Sequence, residues 1–343
     1  MDKKYYSLYN KIKSDIHSGR LRPGDKLTSK RSVCLKLNIS LTTVTRAYES
    51  LVSEGLVVSR ERRGYFVADS NSLFVPHHPA RPILSTQKDE QCEIPSGWIT
   101  TMRKVLSSYP EIISIKPDCF GSFILRKAIS DFLYRYRNLS ISPDNVIIGS
   151  GAEELYGKIV QLLGRDKTYA IENPCYEKIE KVYSAYGVKI QKLALDDNGI
   201  NLEQLHSSTA DVLHVSPFHS YPSGITASER VRAEYLKRTT ENRWLVEDDY
   251  DSEFFFGAIP ETLFGASSQV LYMNTFSKSI SPAIRIGYLV LPDGLAEKYR
   301  ECLSAYTCPV PIFEQYVLAS FISEGLFERH LNKKRLKLLK GGN

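Results

Sequence analysis

Beyond Trp98 the chain alternates between short apolar runs and helical patterns, and that rhythm restricts the fold more than any other feature. Val146-Ile147-Ile148, Thr168-Tyr169-Ala170-Ile171, Val212-Leu213-His214-Val215, Trp244-Leu245-Val246 and Val270-Leu271-Tyr272-Met273 read as strands. A helix is expected from the loop Gly149-Ser150-Gly151-Ala152-Glu153-Glu154 through Leu163, and another from Cys175 to Tyr186. Strands separated by helices pair in parallel, because each crossover returns the chain to the same end of the sheet. An α/β domain with a largely parallel sheet follows, with its chemistry gathered at the strand ends. A chain of 343 residues leaves room for more than one domain.

The charge is distributed unevenly. Residues 1–70 hold 14 Lys+Arg against 7 Asp+Glu, whereas the remainder holds 31 against 32. The basic excess belongs to the N-terminal segment, which suits a module that meets a polyanion. Tyr5, Leu8, Ile12 and Ile16 recur at helical spacing before Gly19, and Pro23-Gly24 marks a turn. Ser29 can cap a second helix through Leu37, with Val33 and Leu37 facing inward. Ser40 can cap a third, whose apolar stripe is Val44, Ala47, Tyr48 and Leu51, with Gly55 closing it. Leu56-Val57-Val58, the basic tip Ser59-Arg60-Glu61-Arg62-Arg63-Gly64 and Tyr65-Phe66-Val67 then form a hairpin.

Three helices followed by a basic hairpin describe a winged helix-turn-helix over residues 1–69, with double-stranded DNA as the expected partner. Thr42, Thr43, Thr45 and Arg46 lie off the apolar stripe near the start of the third helix and are the candidates for base edges. Lys30, Arg31, Arg62 and Arg63 suit phosphates, which position a protein without specifying sequence. Residues 70–97 carry Pro76, Pro79, Pro82 and Pro95 with little periodicity and read as a semi-stiff linker. His77-His78 with Glu93 is read as linker rather than as a metal site.

The C-terminal body, residues 98–343, holds the candidate chemistry. Asn274-Thr275-Phe276-Ser277-Lys278-Ser279 follows a strand, Arg285 stands seven positions after Lys278, and Glu247-Asp248-Asp249-Tyr250-Asp251 follows an earlier strand. Alone, the acidic run also suits a metal cluster or a solvated loop. Taken together, an amine, an arginine with hydroxyls and an acid near a tyrosine match pyridoxal 5′-phosphate, which needs an amine for its aldehyde, a cation for its phosphate and a carboxylate for its ring nitrogen. Lys278 is then the Schiff-base lysine, expected in a desolvated, cation-rich site. Asp248 keeps the pyridine nitrogen protonated, and Tyr250 hydrogen-bonds the phenolic oxygen. Arg285 holds the phosphate, helped by Thr275 and Ser277, and Tyr176 stacks on the ring. Gly151, Ala152 and Glu153 open a helix whose N-terminus favours an anion. The Glu153 carboxylate would repel a phosphate unless it points away, although its backbone N–H can still donate.

Two resemblances rest on these residues. Residues 8–67 resemble the DNA-binding domain of GntR-type regulators, through Gly19-Arg20-Leu21-Arg22-Pro23-Gly24-Asp25-Lys26-Leu27, Ser29-Lys30-Arg31, Thr43-Val44-Thr45-Arg46-Ala47-Tyr48 and Gly64-Tyr65-Phe66-Val67. From about Trp98 to His330 the chain resembles fold type I aminotransferases. The stretches responsible are Glu172-Asn173-Pro174-Cys175-Tyr176, Ser216 through Gly224, Glu247 through Phe254, and Thr275-Phe276-Ser277-Lys278 through Arg285-Ile286-Gly287-Tyr288. The combination is similar to the MocR subfamily, which implies a multidomain protein with an α+β winged helix-turn-helix and an α/β aminotransferase-like large domain. It also implies a homodimer that binds the cofactor and acts mainly on transcription, with an amine or amino acid as effector. An active aminotransferase carrying a DNA-binding domain is the alternative.

The chain departs from the family pattern at Thr28 (usually Pro), Leu41 (often Arg), Ser220 (usually Gln) and Glu153 (commonly Gln). Members of the family continue past the segment matching Glu328–Lys333 into a smaller domain that supplies an arginine for a substrate carboxylate. The resemblance therefore implies a member shortened at the C-terminus. Cys34, Cys92, Cys119, Cys175, Cys302 and Cys308 lack CxxC spacing, which fits reduced thiols in a cytoplasm. No run of about 18 apolar residues predicts a membrane span, and Met1 to Tyr6 lacks the apolar core of a secretory signal.

Overall fold

The computed structural model describes residues 3–61, 63–68, 94–254 and 261–341. The chain divides into two compact units, Met1–Gln87 and Lys88–Asn343. Arg62, His77, His78, Glu93 and most of the expected linker lie outside the described residues.

The first unit contains α1 (Lys3–His17), α2 (Lys30–Leu37), α3 (Leu41–Ser53) and the strands β1 (Val57–Arg60) and β2 (Gly64–Val67). Its helix starts follow from capping hydroxyls: Ser29 accepts from the Ser32 N–H and Ser40 from the Thr43 N–H. Leu8, Tyr9 and Ile12 of α1 pack against Val33 and the α3 stripe Val44, Ala47, Tyr48 and Leu51. Leu37 is the exception among the expected core residues and is 46% exposed. α2 is only eight residues long and ends at left-handed Asn38, so it buries Val33 alone. The strands pair antiparallel from Val57↔Val67 to Arg60↔Gly64, and Gly64 takes φ 107° at the turn, a region that favours glycine.

In the second unit, α4 (Trp98–Ser108) and α5 (Phe123–Arg137) precede β3 (Val146–Gly149), α6 (Ala152–Leu163), β4 (Thr168–Asn173), α7 (Glu177–Ala185), β5 (Lys189–Asp196), β6 (Gly199–Ile200), α8 (Leu202–Ser207) and β7 (Val212–Val215). There follow α9 (Glu229–Lys237), β8 (Trp244–Asp248), β9 (Val270–Thr275), α10 (Phe276–Ser279), β10 (Gly287–Val290), α11 (Asp293–Leu303), α12 (Ile312–Ser323) and α13 (Leu326–Gly341). Eight strands form one sheet in the order β3-β10-β9-β8-β7-β4-β5-β6. β9, β8, β7, β4 and β5 run parallel, while β10 is antiparallel to both β3 and β9, and β6 to β5.

All five expected strands are present. β5, β6 and β10 are additional. β5 carries Lys189, Gln191 and Lys192 among its apolar residues and is largely solvated, so it lacks the continuous apolar run of a central strand. The central strands sort their residues between two faces by the period of two. Val146, Ile148, Tyr272, Tyr288 and Val290 meet α4, α5 and α12 on one side. Ile147, Leu271, Met273 and Leu289 meet α6, α7 and α11 on the other. Burial on both faces leaves the strand ends as the place where polar side chains can collect.

Candidate functional site

Strand register assembles the candidate residues. Asp248, the last residue of β8, pairs with Met273 of β9, five positions before Lys278. Gly287 of β10 pairs with Thr275 on one side and Gly149 on the other, so the turn carrying Arg285 lies beside the Gly149–Gly151 loop. Gly151 adopts φ 105°, and a Cβ there would stand 2.5 Å from Arg285 Nη2. The guanidinium thus lies directly over the backbone at the start of α6, an approach open only to glycine.

Lys278 Nζ lies 2.6 Å from Asp251 Oδ2, and the same oxygen lies 2.6 Å from His219 Nδ1. The Lys278 ammonium is also 4.9 Å from the centre of the Tyr250 ring. Tyr250 donates to the His219 carbonyl oxygen at 2.8 Å, and its ring stacks on the His219 imidazole at 6.2 Å. Burial, then the carboxylates of Asp251 and Asp248, push the Tyr250 phenol well above its usual range, so it remains a donor. The expectation of a dry, cation-rich lysine is corrected here. The Lys278 side chain is 47% exposed and its nearest charged partner is a carboxylate. From α13, Lys334 donates to the Lys278 carbonyl oxygen at 3.0 Å, and His330 Nε2 lies 3.0 Å from that of Ser279, which braces the turn.

Asp248 is 5% exposed and accepts from Tyr156 at 2.8 Å, with His214 Nε2 at 3.4 Å. Tyr183 lies 2.7 Å from His214 Nδ1. If Tyr183 donates to Nδ1, the proton of the neutral ring sits on Nε2 and faces Asp248. Sequence reasoning gave no role to Asp251, His219, Tyr156, His214 or Tyr183. The signal within reach was Asp251, a charged residue in a segment that follows a strand.

The acidic run is not a solvated loop. Glu247, Asp248, Asp249 and Asp251 are all buried, and no group of three metal-ligating side chains occurs among the described residues. Asp249 pairs with Arg137 at 3.3 Å and accepts from Tyr272 at 2.7 Å. Burial, reinforced by Asp249, raises Glu247 to about 7 and Glu253 to about 8. Glu172, also buried, accepts from Ser220 Oγ at 2.5 Å and from the Ser216 N–H at 3.2 Å, and burial still lifts it to about 8.

Glu153 does not point away from the anion-favouring loop. Its Oε2 lies 2.5 Å from Arg285 Nη2 and its Oε1 2.6 Å from Lys178 Nζ. Thr275 is buried at the end of β9, and Ser277 is half-buried in α10. Ala152 begins α6, and half-buried Tyr176 packs edge-on against Tyr221 with ring centres 5.8 Å apart.

On the first unit, Thr42 and Arg46 are exposed and Thr43 and Thr45 half-buried along α3. Arg46 lies 5.1 Å over the Tyr5 ring. Lys30 lies 4.8 Å over the Tyr65 ring, and Arg31 and Arg63 are exposed. No helix among the described residues is long and apolar enough to cross a membrane.

The second unit has the fold of type I aminotransferases. It is similar to an archaeal alanine:glyoxylate aminotransferase (21% identity, TM-score 0.62, covering 68% of this chain and 61% of that one). A second such structure is the kynurenine aminotransferase of Pyrococcus horikoshii in complex with PMP (24%, TM-score 0.61, 71% and 65%). Residues 4–67 match the family described as bacterial regulatory proteins, gntR family. Over 96% of its length the chain is 33% identical to the uncharacterized HTH-type transcriptional regulator YdeL of Bacillus subtilis, covering 76% of that protein. The same share is 26% identical to the probable rhizopine catabolism regulatory protein MocR of Rhizobium meliloti, covering 73% of it. It is also 25% identical to the pyridoxine biosynthesis transcriptional regulator PdxR of Corynebacterium glutamicum, covering 75% of it. The chain belongs to the MocR subfamily of GntR-type transcriptional regulators. It spans about three quarters of the length of these regulators and less than two thirds of the two aminotransferase chains.

Proposed function

We propose that this protein is a DNA-binding transcriptional regulator whose aminotransferase-like unit binds pyridoxal 5′-phosphate at Lys278, and that occupancy of that site alters operator binding. The observation that carries the reading is the convergence of Lys278, Asp248, Tyr250 and Arg285 at the strand ends of one sheet, in a chain whose N-terminal unit is a GntR-type winged helix. When bound, the cofactor supplies an aldehyde that takes up a primary amine and a pyridine ring that withdraws electrons.

The residues present fit most of that group. Lys278 Nζ is accessible, and the proton it must lose has Asp251 Oδ2 at 2.6 Å, an oxygen shared with His219 Nδ1. Asp248 offers a buried carboxylate whose position Tyr156 and His214 set, which suits a protonated ring nitrogen. The Tyr250 hydroxyl stays protonated and can donate to a phenolate oxygen. Arg285, with Thr275 at the end of β9, Ser277 in α10 and Gly151, Ala152 and the Glu153 N–H at the start of α6, flanks an anion subsite. Tyr176 offers a ring face.

In the N-terminal unit, Thr42, Thr43, Thr45 and Arg46 would read base edges in double-stranded DNA, and Lys30, Arg31, Arg62 and Arg63 would bind phosphates. A homodimer would place two such units on two half-sites. An amine or amino acid would be the natural effector, because it offers a primary amine of the same kind as Lys278.

The full chain with added pyridoxal phosphate should show the absorbance band of the lysine-bound cofactor, and borohydride reduction should leave a pyridoxyl mass on Lys278. Lys278→Ala should lose both. Persistence of the band in that variant would reject the assignment, and sustained turnover of an amino acid with a 2-oxo acid would favour an enzyme.

A further inference from the structure

The subsite proposed for the cofactor's phosphate already holds an anion that belongs to the chain. Glu153 bridges two cations, with Oε2 2.5 Å from Arg285 Nη2 and Oε1 2.6 Å from Lys178 Nζ. The Arg285 guanidinium also lies against the backbone at Gly151, so the pair stands at the mouth of the loop. A phosphate ester carries about −1.5 to −2 charges at neutral pH and needs the donors that Glu153 now engages.

We infer that Glu153 is a specificity-determining residue of this subsite: it competes with the phosphate ester for Arg285, and so narrows the preference for pyridoxal phosphate over pyridoxal. This rests on Lys278 being the point of attachment. Pyridoxal offers the same aldehyde and ring but ends in an uncharged hydroxymethyl group, so it leaves the Glu153–Arg285 pair undisturbed. The phosphate ester must either part that pair or accept a carboxylate beside it. The side chains of Glu153, Arg285 and Lys178 are 32%, 46% and 50% exposed, and half-exposed ion pairs are weak. Displacement is therefore possible, and the consequence is reduced affinity rather than exclusion.

Protonation does not empty the subsite. Burial alone would raise the Glu153 carboxyl, but hydrogen bonds from Lys178, from its own backbone N–H and from Arg285 outweigh it and hold the group at about 2. The carboxylate therefore persists at neutral pH. A glutamine at this position would keep the shape and the backbone donor while removing the competing charge.

The test titrates the full-length wild type, Glu153→Gln and Glu153→Ala with pyridoxal phosphate and, separately, with pyridoxal. Absorbance of the lysine-bound form is followed, with borohydride-trapped mass on Lys278 as the second readout. Comparing ratios between proteins cancels the hemiacetal form of free pyridoxal. The preference for the phosphate ester should rise about fivefold in both variants, or about 1 kcal/mol. Inorganic phosphate should also compete at lower concentration than in the wild type. A ratio that stays within about twofold in both folded variants, under 0.5 kcal/mol, overturns the inference. Failure of both aldehydes to label Lys278 in all three proteins overturns instead the reading of the site beneath it.

Discussion

Lys278 Nζ and His219 Nδ1 share one oxygen, Asp251 Oδ2, each at 2.6 Å. The lysine thus rests as an ion pair, steadied by a histidine that also stacks on Tyr250 and braced from α13 by Lys334 and His330. In the proposed role of Lys278, whose amine must surrender a proton before it can bond to carbon, this supplies a nearby acceptor and a defined position.

Replacing that acceptor should slow attachment. In Asp251→Asn the rate of appearance of the lysine-bound cofactor should fall about tenfold, because displacement of a reacting atom by even 1 Å can cost about a hundredfold. Stopped-flow absorbance at several cofactor concentrations measures this. Asp251→Glu, which keeps the charge, should recover part of the rate. An unchanged rate in the asparagine variant would remove Asp251 from the attachment step.

Thermal stability should decline as the solution becomes alkaline. Glu172 and Glu253 sit at about 8 and Glu247 at about 7, all above an ordinary value of 4.5. The folded state therefore holds more protons than the unfolded state between pH 4.5 and 8. The stability these carboxyls contribute is fully present below the unfolded value and is lost as pH rises through 7 to 8. The melting temperature should fall from pH 6 to pH 9, and Glu172→Gln should flatten the fall. A curve of the same steepness in that variant would show that Glu172 is not among the titrating groups.

The DNA-binding unit should show a salt dependence that divides its residues. Arg31→Ala and Arg63→Ala should each lower the slope of log affinity against log salt by about 0.9, as expected for one lost phosphate contact. Arg46→Ala should instead relax discrimination between operator and unrelated duplex, with a cost of about 1–3 kcal/mol. Fluorescence anisotropy at four salt concentrations separates the two behaviours. A uniform loss of affinity with unrelated DNA in Arg46→Ala would assign that residue to the backbone.

Much of the fold could be read from residue order, because its determinants are local. Hydroxyls at Ser29 and Ser40 set helix starts, and apolar runs such as Val270–Met273 set central strands, whatever the rest of the chain does. Leu37 shows the limit of periodicity: it continues an apolar pattern, but α2 ends before the residue can be covered. β5 shows another, since a strand at the solvated side of a sheet can be polar and still pair.

The sequence by itself determined the α/β class of the body and the placement of Asp248, Tyr250 and Lys278 at or just after strand ends, because each follows from short-range pattern. Only the tertiary structure decided how those side chains are partnered. The Asp251 contact with Lys278 spans 27 residues, the Tyr156 contact with Asp248 spans 92 and the Glu153 contact with Arg285 spans 132. Such pairings depend on sheet register and on the angle at which α6 leaves Gly151, and neither is encoded in the spacing of residues along the chain.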